Sequence, residues 1–406
     1  MLKQVISQNI NEYLTHLGQF GRLAAGGVTR FVYDAAWLAA MDFVLQDATL
    51  RGMNVAVDKY GNGFMSYPGA TATKIVAAGS HLDTVNKAGI YDGAYGMAAA
   101  ILAMSELFRQ YGQPQKTMTA VAFSEEEGSR FPVSFSGSKH YSKTQETDPS
   151  IKDCNGMTFG VARRLALRQL TTKYSLEEQP LPSEFFELHI EQGPILEEQG
   201  LQLGVVSSIC EQKRFTVTLH GQTNHAGTTP QHLRKDALKA AVRLIYGLEQ
   251  QAQRLGEPFV FTVGEFTVSP GSANVIPGLV RFSVDIRHPD KKVVDGFEIF
   301  LRTYAATLSI FTVEVDKWMD SRPAKMDERL VKQFEKIITA RKLDYLNLPS
   351  GAGHDTQIMN LKMPTAMLFV PSKAGISHAP MEFTGPEDLA LGVEILKDQL
   401  YEECYY

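Results

Sequence analysis

Short apolar runs rich in β-branched and aromatic residues alternate with longer stretches of helical character, and several of the runs stop at a chemically reactive residue. The run 74-KIVAAG-79 reads as a strand that breaks off at His81, and 116-KTMTAVAFS-124 breaks off at 125-EEEGSRF-131. A third, 184-EFFELHIEQG-193, carries His189 among apolar neighbours, and 364-PTAMLFV-370 leads into a loop that holds His378. Between them the pattern predicts a helix over 34–51, a hairpin turning at 58-DKYGNG-63 and an Ala-, Met- and Leu-rich helix over 94–110. Further helices are expected over 327–342 and after Pro386, which suits a first helical position. The first twenty residues have helical rather than signal-peptide character. This alternation predicts an α/β fold, a mixed sheet with helices on both faces. Ligands in such sheets bind at the carboxyl edge of the strands.

At position 213 the pattern changes. Strand (214–221), helix (235–255), strand (258–268), strand (279–288), helix (290–309) and strand (311–319) follow in the order of a ferredoxin-like α+β unit. The earlier α/β pattern then resumes, so 213–326 reads as a domain inserted into a catalytic domain made of 1–212 and 327–406. Two domains also follow from the length, because 406 residues exceed the roughly 250–300 that one core supports.

Composition narrows the function. A net charge of −5 argues against a nucleic-acid or anionic-membrane surface, and no stretch approaches the roughly 20 apolar residues of a membrane span. Cys154, Cys210 and Cys404 are odd in number and lack metal-type spacing, as expected of a reduced, cytoplasmic protein. Cys210 ends an apolar run and reads as core.

The chemistry concentrates at the predicted strand ends. In 80-SHLDTVNKAGIYDGAYGM-97, His81, Asp83 and Asp92 lie close together and are separated by glycines that let the loop fold back. Imidazole and carboxylate suit a divalent transition metal, with Asp83 placed to orient His81 from behind. Taken singly each piece has an ordinary reading. His189 would be a hydrogen-bonded core histidine, and 125-EEE-127 a solvated charge run. If the strand continues, Glu126 and Glu127 face opposite ways and take different roles. Together, His81, Asp92, Glu126, Glu127, His189 and His378 meet at one sheet edge. Five donors would serve two metals through one shared carboxylate, and one Glu would remain for acid–base work.

These segments resemble the amidase/carbamoylase branch of the M20 metallopeptidase family. The matching stretches are 80-SHLDTV-85, 92-DGAYG-96, 125-EEEGSRFP-132 with 137-GS-138, and 187-ELHIEQG-193. Later in the chain come 224-NHAGTTP-230, 274-NVIPG-278 with 285-DIRH-288, 351-GAGHDTQ-357 and 375-GISHAP-380, with GGVTR near the start. The resemblance implies that His81 and His189 hold one divalent ion and Glu127 and His378 the other. Asp92 would bridge them and Glu126 would act as general base. Zinc or manganese, and also cobalt or nickel, suit these ligands. It further implies that the inserted domain forms a homodimer, that His225 reaches the partner's site, and that Asn274 and Arg287 bind a substrate carboxylate. On residue chemistry alone, Arg287 suits a carboxylate but pairs equally well with Asp285, and Asp355 reads as a helix cap.

The expected reaction is hydrolysis of a terminal carbamoyl or ureido group on a small carboxylate substrate. The EEEGSRF, GTTP and GAGHD forms resemble one subgroup of that branch more than the carbamoyl-amino-acid hydrolases, and that resemblance implies allantoate over N-carbamoyl-L-amino acids. Three positions depart from the family pattern: Ala88 in a Gly-Gly pair, Ser136 where a bulky residue is usual, and Gln231 in place of Met. A fold-retaining protein without catalysis is disfavoured because every ligand position is filled.

Overall fold

Alternation within the central strands sorts side chains into two cores. The computed structural model describes residues 9–406. In the strand Thr71–His81, Val76 and Ala78 join the large core while Ala77 faces a smaller one with Phe64, Val121, Phe123, Phe185 and Met359. Phe185 and Phe186 of Glu184–Ile190 divide in the same way. A strand buried on both faces needs helices on both, and they are present. Helices Ala94–Tyr111 and Pro386–Tyr405 pack on the first face, while Ser136–Tyr141 and Asp355–Met359 contact each other near the second core. The N-terminal helix is Ile10–Leu17, capped by the Asn9 side chain, and positions 1–8 of the expected helix lie outside the described residues.

Four strands of the ten-stranded sheet run parallel at its centre, in the order Thr365–Val370, Glu184–Ile190, Thr71–His81, Lys116–Phe123. The chain leaves Thr71–His81 to build its neighbour on one side and later returns to build the other. The carboxyl end of that strand is therefore the topological switch point of the sheet. Further strands, including the antiparallel Asn54–Val57/Gly63–Tyr67 hairpin, complete the flanks.

The chain divides into two compact units, Ser208–Ala324 and the remainder, so the division falls slightly before the expected 213 and 326. Within the smaller unit the sheet order is Val260–Thr262 and Phe266–Ser269, then Leu279–His288, Glu211–His220 and Thr312–Ser321. Helices Ala237–Leu255 and Lys291–Ala306 pack on it, closing a core around Phe215, Leu244, Phe282 and Phe297. The strand expected over 258–268 is interrupted. Thr262 pairs with Asp285 but Phe266 with Phe282, which leaves one extra residue. The Ser283 hydroxyl accepts the Gly264 and Glu265 amides at this bulge.

Gly96 shows how closely the large unit is packed. A Cβ there would come within 3.0 Å of Ser80 Cβ and closer still to the Leu188 carbonyl oxygen. Alanine raises helix propensity by about 1 kcal/mol, but overpacking against a backbone carbonyl costs about 1–3 kcal/mol and cannot be relieved by a rotamer change. Gly96→Ala should therefore lower the urea midpoint; an unchanged or raised midpoint would mean that helix and strand separate without cost.

Candidate active site

Each strand of the parallel core delivers one piece of the site. His81 is the last residue of its strand and is buried. Its Nδ1 lies 2.9 Å from the Asp83 main-chain carbonyl, which can only accept, so Nδ1 carries a hydrogen and Nε2 is the atom left facing the site. His189 is set in the same way, with Nδ1 2.9 Å from the Ile190 carbonyl oxygen. Its Nε2 lies 3.1 Å from Asp92 Oδ1 and also receives the Gly93 amide at 3.1 Å. His81 Nε2 is 3.5 Å from the same Asp92 oxygen. The other oxygen, Oδ2, faces His378 Nε2 at 3.0 Å, and His378 Nε2 is 3.7 Å from Glu127 Oε1. Glu126 Oε2 stands 3.9 Å from His81 Nε2.

The loops reach these positions through unusual backbone. Glu125, Gln192 and His378 all adopt left-handed φ between 55° and 59°, uncommon for residues other than glycine. The strand Lys116–Phe123 ends before Glu126 and Glu127, so strand alternation does not separate them as expected. The turn at Glu125 does so instead, leaving the amides of Glu126 and Glu127 on the two carboxylate oxygens of Asp83, each at 3.2 Å. Asp83 therefore orients His81 with its carbonyl and holds the two glutamates with its side chain.

Electrostatics follow from this crowding. Burial works against protonating His81, yet Glu126 and the other acids around it raise its pKa well above the usual imidazole range. Burial also opposes ionisation of Asp92, but the surrounding imidazoles, His189 foremost, hold it well below the carboxylate range. Burial pushes Glu126 far up, and burial with Asp92 beside it pushes Glu127 up to about 7. The hydrogen bond to Asp92 is the main cause that lifts His378 to about 9. Glu127 Oε1 has no hydrogen-bond partner among the described residues. A buried acceptor of this kind, among lone pairs and without sulfur, fits a divalent cation.

Among the described residues, four groups of side chains are close enough to hold an ion: His81–Asp92–His189, Asp92–Glu127–His378, His81–Glu126–Glu127 and Glu187–His189–His354. The last is committed elsewhere. Glu187 accepts from the Ser80 hydroxyl at 2.6 Å and from the Thr356 amide and hydroxyl at 2.9 and 2.6 Å, and His354 Nε2 bonds Ser350. Glu187 thus does the capping expected of Asp355. Asp355 is the first residue of its helix, the N-cap position belongs to His354, and neither Asp355 oxygen has a partner among the described residues. Burial, with Glu187 nearby, holds Asp355 well above the carboxylate range.

His225, Asn274 and Arg287 belong to the Ser208–Ala324 unit. His225 is exposed on a two-residue strand paired with Val275, and the Asn274 carbonyl accepts the Ala226 amide. His225 Nδ1 accepts the Gly227 and Thr228 amides at 3.0 and 3.2 Å, which leaves the hydrogen on Nε2. Arg287 makes the pair with Asp285, Nε and Nη2 to the two oxygens at 2.9 and 3.0 Å, while Arg214 and Gln212 bind the same carboxylate. Of the departures, Ala88 joins its main chain to Val28, Ser136 accepts from Thr147 and Gln231 accepts from Lys239.

Sequence reasoning missed Gln192 and Glu382. Gln192 Nε2 donates to Asp92 Oδ2 at 2.9 Å, and its place in 187-ELHIEQG-193 was the available signal. Glu382 is buried, and burial and Asp92 push it up to about 7. It follows His378 by four residues and carried no signal of its own.

Imidazoles and carboxylates gathered at the carboxyl edge of a parallel sheet are the donor set of a hydrolytic metal centre. The chain belongs to peptidase family M20/M25/M40, which matches residues 77–402, and so to a family of hydrolases. It is similar to the allantoate amidohydrolase of Bacillus subtilis (strain 168), 38% identical with 99% of each chain covered, and to that of Escherichia coli (strain K12), 39% identical with 97% of each covered. A crystal structure of an amidase of the hydantoinase/carbamoylase family from Burkholderia multivorans superposes with a TM-score of 0.91 at 31% identity, covering 98% of this chain and 97% of that one. Among the described residues no helix is long and apolar enough to cross a membrane.

The titrations set the sign of a pH effect. A cation needs His378 neutral and Glu127 ionised, whereas without it they hold their protons up to about 9 and about 7. Binding should release protons, and apparent affinity should fall as pH drops from 9 to 6. Calorimetry in buffers of different ionisation enthalpy checks this; pH-independent affinity without proton release would contradict it.

Proposed function

We propose that this chain is an amidohydrolase dependent on two divalent ions, cleaving the terminal carbamoyl or ureido C–N bond of a small carboxylate, with allantoate the preferred substrate. The observation that carries the reading is the division of Asp92, one oxygen toward His81 and His189 and the other toward His378. One carboxylate is thereby shared by two ligand sets, His81–His189 and Glu127–His378. When bound, ions such as zinc or manganese, with cobalt or nickel also suited, supply Lewis acidity to the carbonyl and lower the pKa of water.

Glu126 then takes the proton from the attacking water and passes it to the leaving nitrogen. Burial raises its pKa when the site holds no cation, and ions beside it would favour the carboxylate that accepts the proton. His225, with its hydrogen on Nε2, donates to the carbonyl oxygen as charge develops there. We read it as acting across a homodimer formed by the smaller unit, a role that rests on the family resemblance. Asp285 fixes the plane of Arg287, so that the guanidinium can meet the substrate carboxylate. Asn274, whose carbonyl joins the His225 loop, is read on the family resemblance as a second group that binds that carboxylate. Identities of 38 and 39% to two allantoate amidohydrolases favour allantoate, while the fold match at 31% to a hydantoinase/carbamoylase-family amidase supports N-carbamoyl-L-amino acids as the second reading.

Ammonia release across allantoate, several N-carbamoyl-L-amino acids and the neutral amide of allantoate tests the substrate. Allantoate should have the highest kcat/KM and its amide should react poorly; a higher value for an N-carbamoyl-L-amino acid would select the second reading. Glu126→Gln should keep both ions and lose about 10²–10⁴ in rate. Loss of ions in that variant, with retention in Glu127→Gln, would reverse the two roles. Inactive His225→Ala and Glu126→Gln subunits should regain activity when mixed. No recovery despite demonstrated subunit exchange would place His225 outside the partner's site.

A further inference from the structure

We propose that Glu382 is a positioning residue that braces the shared carboxylate loop against the His378 loop, an inference that rests on reading the site as a two-ion centre. Glu382 Oε1 accepts the main-chain amides of Tyr91 and Asp92 at 3.0 and 3.2 Å. Its other oxygen, Oε2, accepts from the Ser377 hydroxyl at 3.0 Å. One buried side chain thus grips the backbone that aims Asp92 and the residue next to His378. Both of its oxygens are committed, so it is no ligand. Its work is to fix the spacing of two ligands that arrive from positions far apart in the chain.

Two further observations point the same way. The Ser377 hydroxyl also lies 3.2 Å from Asp92 Oδ2, and it has one hydrogen for two carboxylates. With Asp92 Oδ2 given to a cation, that hydrogen goes to Glu382, and the brace tightens as the site fills. The second is Gly89. A Cβ on Gly89 would lie 2.5 Å from Glu382 Cβ and 2.6 Å from its Cδ. The clash involves the root of the side chain, so rotating the carboxylate does not relieve it. Gly89 is the retained member of the pair in which Ala88 departs from the family pattern, and making room for Glu382 accounts for its lack of a side chain.

Co²⁺ titration of the metal-depleted full-length protein, by calorimetry and visible absorption, tests the brace. Wild type should take two ions, and the signal abolished by His378→Ala identifies the ion on that side. Glu382→Ala should weaken this ion about 10- to 100-fold. Glu382→Gln keeps an acceptor for the two amides and a donor for Ser377, and should stay within about threefold of wild type, a rescue that general destabilisation would not give. Gly89→Ala should reproduce the loss, and adding Glu382→Ala to it should cost nothing more, because the brace is already broken. Ser377→Ala should show a smaller loss on the same ion. Wild-type affinity in folded Glu382→Ala, or a Gln variant as weak as Ala, would overturn the proposal. Should Glu382→Ala not fold by circular dichroism, unchanged Co²⁺ binding in both Gly89→Ala and Ser377→Ala would overturn it. A wild type that binds no Co²⁺ would sink the two-ion reading as well, whereas normal binding with an indifferent Glu382 sinks only the brace.

Discussion

Carboxylates are crowded and buried in one place, and burial drives several of them, Glu126, Glu127 and Asp355 among them, toward the protonated form. Asp83, Asp92, Glu125, Glu126, Asp355 and Glu382 are all buried around the end of one strand, with Glu127 beside them. Two like charges 4 Å apart repel by about 4 kcal/mol at an effective dielectric of 20. The buried guanidinium nearby, Arg30, is spent on the carbonyls of Leu82, Leu17 and Phe20. The protein handles the excess by dividing labour. Asp83, Glu187 and Glu382 spend their oxygens on peptide amides and hydroxyls and so tie neighbouring loops together. Asp92, Glu126 and Glu127 face the imidazoles, and their charge is what a pair of divalent ions would neutralise.

The fold makes this division possible. Four parallel strands end at one edge, so loops distant in sequence meet there without long excursions. Main-chain carbonyls at two strand ends set the tautomers of His81 and His189, leaving Nε2 of each toward Asp92. Left-handed turns at Glu125, Gln192 and His378 then bend each loop back over the strand ends. Strain of this kind persists where surrounding hydrogen bonds over-determine it, as the amide-gripping carboxylates do here.

The sequence made the strand ends visible because each apolar run stops at a residue of a different chemical kind. His81, Asp92, Glu126, Glu127, His189 and His378 could therefore be named before any coordinates, as could the order of elements in the 208–324 unit. What stayed hidden depends on hydrogen bonds across long sequence separations. Glu187 caps a helix 169 positions later, so Asp355 at the local capping site looked like the cap. Glu382 grips amides some 290 positions before it, and periodicity carries no trace of that contact. Asp83 was expected behind His81, but that its carbonyl does that work while its carboxylate holds the Glu126 and Glu127 amides needed coordinates. The pairing of Arg287 with Asp285 needed coordinates as well, and it is bidentate.

The central claim is that Asp92 is shared by two cations. Electron paramagnetic resonance of the protein loaded with Mn²⁺ tests it directly, because two Mn²⁺ ions bridged by one carboxylate couple their spins. Two ions per chain with a coupled, multiline spectrum is the predicted result, collapsing to an uncoupled signal in Asp92→Ala. A single ion per chain, or two ions with independent six-line spectra in the unaltered protein, would contradict the account.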